Sequence, residues 1–117
     1  MAYNEKLAER IRGALAHLPK VEEKKMFGAL AFMVDGKICL TAGANRIMCR
    51  IDRDIHKEAL KRKGSHTVVM RGREYKGYIH VDEESIRTKT DFNYWVKLAL
   101  DFNKKAKSSS KKTKGSS

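Results

Sequence analysis

The chain is short of everything that staples, kinks or anchors a protein. It holds one proline, Pro19, and two cysteines, Cys39 and Cys49, in 117 residues. There is no CxxC pair, and a disulfide scaffold would need far more cysteine. Its longest uncharged run, MFGALAFMV, stops at nine residues, well short of the ~18 that span a bilayer. The first ten residues, MAYNEKLAER, are polar and amphipathic, unlike a secretory leader. Membrane protein, collagen-like fibre and disulfide scaffold are excluded, and a reducing, cytoplasmic location is expected. Phosphate-cradling strings are also missing: neither GxGxxG nor GxxxxGK[ST] occurs. His17, His56, His66 and His80 are scattered, without the spacing of a zinc site. The carboxylates of Glu83 and Glu84 are adjacent, so they point apart and suit a helix cap better than acid–base work. No cofactor, metal or small-molecule substrate is expected.

Acidic residues are also scarce, 14 against 26 Lys and Arg, for a net charge of +12. Half of that excess lies in residues 104–117, which contain six lysines and no acid. A segment of Lys, Ser, Thr and Gly cannot bury enough apolar surface to offset its ordering entropy. A folded domain at 1–103 followed by a disordered tail at 104–117 is therefore expected. The tail reads either as a nucleic-acid arm, since clustered lysines displace counterions from phosphate, or as a solubilising end.

The remaining length suits one domain. Residues 4–18 predict a helix: Asn4 can cap it, Leu7, Ile11, Ala14, Leu15 and Leu18 form one stripe, and Pro19 ends it. Strands are expected at about 26–34, 37–42 and 46–51, with 21–25 as a polar lead-in. Asp35-Gly36 makes the first hairpin and Gly43–Asn45 the second turn. A second helix is expected at about 53–63, capped by Asp52. A further hairpin spans 66–81, where Gly72-Arg73 suits a type II′ turn that sets Arg71 opposite Glu74 and Met70 opposite Tyr75. A last helix at about 90–105 carries Phe92, Trp95, Val96, Ala99 and Phe102 on one stripe. The order α-β-β-β-α-β-β-α, with short hairpins, predicts a two-layer α+β domain. Its sheet would have five mainly antiparallel strands, with three helices.

The Asp35-Gly36 register pairs Met33 with Ile38 and Ala31 with Leu40. One face then holds Phe27, Ala29, Ala31, Met33, Ile38 and Leu40, joined by Ile47, Cys49 and Ile51, as the expected helix-covered core. The other face would carry Met26, Leu30, Phe32, Cys39 and Met48 between Arg46 and Arg50. A face that apolar is not suited to water. It reads as a protein-partner or homodimer surface, or as a face covered by a helix or the tail. An odd-sum register between the second and third strands keeps Ile38, Leu40, Ile47 and Ile51 together. It sends Cys39 and Cys49 to opposite sides.

The string KKMFGALAFMVDGKICLTAG, the block RIMCRI, the hairpin REYKGYIHVD and the ending FNYWVKLALDF together resemble the TfoX N-terminal domain family. The resemblance covers about residues 3–103. It implies a secretion-chaperone-like arrangement with the element order given above. It also implies a regulatory role: longer relatives, the TfoX/Sxy proteins, regulate competence genes alongside a catabolite-activator transcription factor. They carry a helical C-terminal domain, where this chain has only a lysine tail. The resemblance supplies no catalytic residues.

A non-enzymatic regulatory or binding module is therefore expected, working through a protein partner or a homodimer. A second reading is a sequence-tolerant nucleic-acid binder. Its contacts would be Arg46, Arg50, Arg71, Arg73, Lys76, Lys104, Lys105 and Lys107, with Phe32, Tyr75 and Tyr78 as stacking rings. A third is a small enzyme using Cys39 or Cys49 with a histidine such as His80.

Overall fold

The computed structural model describes residues 3–26 and 28–106. Helix α1 spans Glu5–Ala14. Asn4 Oδ1 caps it, accepting from the Lys6 and Leu7 N–H groups at 2.8 and 3.3 Å. The helix ends earlier than its leucine stripe. Pro19 disfavours helical backbone at Leu18, so Leu15 and Leu18 reach the core from a turn closed by Leu18 N–H to the Leu15 carbonyl.

Six strands follow, β1 Val21–Met26, β2 Ala29–Val34, β3 Lys37–Ala42, β4 Arg46–Arg50, β5 Ser65–Met70 and β6 Arg73–Asp82. They form one antiparallel sheet in the order β1-β2-β3-β4-β6-β5. The expected five-strand sheet is thus α+β as predicted, but with one strand more. The extra strand is the stretch VEEKKM, expected to be only a lead-in. It is an edge strand, and charges on an edge keep other chains from adding to it. On its inner side Glu23 meets Arg12 of α1 in a two-pronged ion pair of 2.6 and 2.8 Å. The surrounding elements are short. Residues Arg53–Ile55 form a 3-10 turn that runs into α2, His56–Ala59, and a second 3-10 turn at Glu83–Ile86 precedes α3, Lys89–Asn103. The second helix is therefore much shorter than the expected 53–63.

One irregularity resets the faces. Val34 pairs with Lys37 and Met33 with Ile38, as the turn requires, but Phe32 pairs with Leu40 rather than Ala31 doing so. Cys39 is the extra residue of a β-bulge, and a bulge inverts the alternation beyond it. Leu30, Phe32, Val34, Leu40 and Ala42 consequently face the helices, together with Ile47, Cys49, Ile51, Ile79 and Val81. Ala29, Ala31, Met33 and Ile38, expected in that core, lie outside the helix-covered cluster, although Ala31 and Met33 are buried; Phe27 falls outside the described residues. The β3–β4 register is odd-sum, Leu40 to Cys49. Yet both cysteines belong to the same core as free thiols, because the bulge turns Cys39 inward. The expectation that they point apart is corrected on that ground.

The helices cover one side only. Leu7, Ala8 and Ile11 of α1, Ala59 of α2 and Phe92, Trp95, Val96 and Ala99 of α3 join a single core with one parity of strand residues. At ~25 cal/mol per Å² of apolar surface, this layer is the main stabilising contact of the fold.

The β5–β6 hairpin also departs from expectation. Arg71 and Gly72 occupy the turn, both with positive φ (54° and 74°), and Met70 pairs with Arg73. That is the twist of a type I′ turn, which matches the twist of the flanking strands. Arg71 therefore does not face Glu74, which pairs with Val69 instead, and Tyr75 pairs with Val68. Further down, Thr67 pairs with Ile79, so Lys76, Gly77 and Tyr78 bulge out of β6.

Candidate interaction surfaces

The side of the sheet away from the helices is set by strand parity. Met48 lies between the inward Ile47 and Cys49, so it points out. Cross-strand pairing then aligns Lys24, Ala31, Thr41, Met48, His80 and His66 in one row across the six strands. Arg46 and Arg50 flank Met48 on the same face, opposite Asp82 and Tyr78 respectively. The Arg50 guanidinium sits 5.7 Å from the Tyr78 ring and 5.4 Å from that of Phe102. Tyr78 packs edge-on against Tyr75, with centroids 6.4 Å apart. His66 Nε2 lies 3.1 Å from Asp82 Oδ2. Burial pushes the His80 imidazole down to about 4, and Arg46 and His66 push the same way. Along this face Ala31 and Met33 are buried, Met48 and His80 are half-buried and Arg46 is exposed, while Arg50 is half-buried with its guanidinium turned to Phe102 of α3.

The hairpin tip is different. Val69 and Met70 are 55% and 51% exposed. Arg71, Arg73 and Lys76 are all exposed beside them, and none enters an ion pair among the described residues.

The sequence-predicted residues are divided among several environments. Met26 and Met48 do belong to the open face. Leu30, Phe32 and Cys39 do not: they are buried under the helices, because the bulge in β3 puts Leu40 and Cys39 on the side of Phe32, Leu30 and Val34. The expected apolar patch is therefore split between the two sides of the sheet. Of the expected nucleic-acid contacts, Arg46 is exposed on the open face, Arg50 is half-buried against Tyr78 and Phe102, and Arg71, Arg73 and Lys76 share the hairpin. Lys105 is paired with Asp52 at 2.7 Å, Lys104 is exposed at the end of α3, and Lys107 lies outside the described residues. Most of the expected tail, including its other lysines, does too. Sequence reasoning missed the exposed Val69 and Met70, whose signal was an apolar pair directly before the arginine turn.

Elsewhere the chemistry is muted. Burial pushes the Cys39 thiol up to about 12, and raises Cys49 as well. No cluster of His, Cys, Asp and Glu fit for a metal occurs among the described residues. A groove of about 460 Å³ runs between Arg62, Lys63, Glu84, Ser85, Asp91 and Trp95. Its Arg62 already stacks 3.6 Å over Tyr94 and reaches Asp91 at 3.5 Å. Among the described residues, no helix is long and apolar enough to cross a membrane.

The family model of the TfoX N-terminal domain matches residues 13–103. The chain belongs to the TfoX N-terminal domain family. The match runs from the end of α1 to the last residue of α3, so it takes in the whole sheet, α2 and α3, while the core residues Leu7, Ala8 and Ile11 of α1 precede it. No curated protein and no solved structure matches the chain. The open face of this TfoX N-terminal domain and its β5–β6 hairpin both lie within the matched residues.

Proposed function

We propose that this chain is a non-enzymatic regulatory module that docks a protein partner on the open face of its sheet. Membership of the TfoX family supports a regulatory role of the competence type at the level of the family. The observation that carries the reading is the one-sided helix layer. It leaves Ile38 and Met48 half-buried on the other face, beside the exposed Arg46. Partly exposed apolar side chains beside a cation suit the centre and polar rim of a docking patch. The raised, buried thiols weigh against a nucleophile, which needs an accessible thiolate.

The test is affinity capture from the source cell with nuclease present, using the intact chain and Met48→Asp. A defined protein retained by the first and lost by the second supports the reading. Capture that nuclease abolishes, or that Met48→Asp leaves unchanged, refutes it. Sedimentation of the same pair shows whether the partner is a second copy. Rapid alkylation of Cys39 or Cys49 in the native state would favour the enzyme instead.

A further inference from the structure

We propose that the β5–β6 hairpin is an arm that binds duplex DNA, with Arg71, Arg73 and Lys76 on the phosphates and Met70 entering the groove. Two of the three large hydrophobic residues exposed among the described residues, Val69 and Met70, are consecutive at its end. Consecutive strand residues point to opposite faces, so the ribbon ends with an apolar side chain on each side. Beside them stand three cations against one acid, Glu74, within six residues. No described ion pair neutralises these cations.

The arm is built to hold its shape. Its I′-type turn puts Arg71 itself at φ 54°. At its base the bulge is pinned from both sides, since Gly77 N–H donates to His56 Nδ1 at 2.9 Å and the Gly77 carbonyl accepts from Ile51 N–H at 2.7 Å. A rigid two-stranded ribbon fits a groove of B-form DNA. Arginine forks suit phosphate oxygens better than lysine alone does, and an apolar tip among cations is how groove-binding arms wedge against base steps. A lipid surface fits less well. Bilayer-binding elements present one broad apolar face, whereas here the two apolar side chains lie on opposite sides of a ribbon. The chain's net charge of +12 favours a polyanion in either case.

The experiment is fluorescence anisotropy of the full chain with a labelled 20-base-pair duplex over a salt series. Replacing Arg71, Arg73 and Lys76 by Ala should lower the slope of log affinity against log salt by about 2 to 3, since each phosphate contact contributes roughly 0.9. Met70→Ser should weaken binding severalfold and leave the slope unchanged. Should the triple variant melt early, the single variants Arg71→Gln and Arg73→Gln carry the test, each lowering the slope by roughly 0.9. Equal slopes for intact chain and variants, or no duplex binding by the intact chain, overturn the proposal. So does hairpin-dependent binding to phosphatidylserine vesicles without hairpin-dependent binding to the duplex. Met48→Asp should leave duplex binding intact, so failure here is distinct from failure of the docking reading.

Discussion

His56 Nδ1 accepts the Gly77 N–H at 2.9 Å, and that bond fixes the protonation of a buried imidazole. With Nδ1 an acceptor, the proton sits on Nε2, which donates to Thr67 Oγ1 at 2.9 Å. The ring joins α2, the edge strand β5 and the bulge of β6 only while it is neutral. A second proton would break the bond to Gly77 and place a charge in the core.

Acid sensitivity follows from two histidines. Burial lowers the His56 pKa, with Lys76 adding to it and Glu74 opposing it. His80 falls to about 4. Both are depressed on folding, so the unfolded chain takes up protons first as pH drops. The contribution of His80 is complete above the ordinary histidine value near 6.5 and is lost as pH falls toward about 4, and that of His56 is lost in the same direction. Urea midpoints should therefore decline from pH 7 to pH 5, before most carboxylates titrate. His80→Gln should decline less over the same interval; an identical decline would remove His80 from the account.

Gly77 separates strain from contact. Its φ is 90°, and a Cβ there would lie 3.1 Å from both Arg53 Cγ and the Ile51 carbonyl oxygen. Gly36 has a similar φ, 75°, but open space around it. Gly36→Ala should cost about 1 kcal/mol, and Gly77→Ala about 2 to 3 kcal/mol, because it adds a close contact to backbone strain. Chemical denaturation of both variants measures the difference.

Phe32 and Met48 test which face is which. Phe32 is fully buried against the helices, while Met48 is half-buried on the open side. Phe32→Ala should cost about 3 to 5 kcal/mol. Met48→Ala should cost less than about 1 kcal/mol. Had β2 kept the unbulged register, Phe32 would be the tolerant position, so the order of the two thermal midpoints decides.

That pair also shows what the sequence makes legible. Helix stripes, the Asp35-Gly36 turn and the antiparallel class are local, and each has its own residue signature. The outward placement of Arg46, Met48 and Arg50 follows simply from the alternation around Ile47 and Cys49. The bulge at Cys39 has no such signature: an extra residue in KICLTA is decided by packing Phe32 and Leu40 on one side. One slipped residue then exchanges Leu30 and Phe32 for Ala31 and Met33. The strand VEEKKM was illegible for another reason, since an edge strand gains from charge what an inner strand gains from apolar residues. At the hairpin, arginine in a left-handed position is uncommon, and Gly72 suggested the neighbouring turn type instead.

The end of α3 is held by two side chains, and they should act together. Lys37 Nζ donates to the carbonyls of Asn103 and Ala106 at 2.6 and 3.1 Å. Buried Asn103 donates through Nδ2 to the Val34 carbonyl at 3.2 Å. A cation at a helix C-terminus satisfies orphan carbonyls and opposes the helix dipole. Lys37→Met keeps the aliphatic stem and removes that interaction, for a loss of about 1 kcal/mol; Asn103→Ala should lose about 1 to 2 kcal/mol. Both bonds fasten the same helix end to the same hairpin, so once one is gone the other holds a frayed partner. The double variant should lose less than the two single losses combined. Hydrogen exchange at Ala99 to Lys104 should accelerate in each single variant ahead of the amides of β4. Unchanged exchange there would mean that Phe92, Trp95 and Val96 alone keep the helix in place.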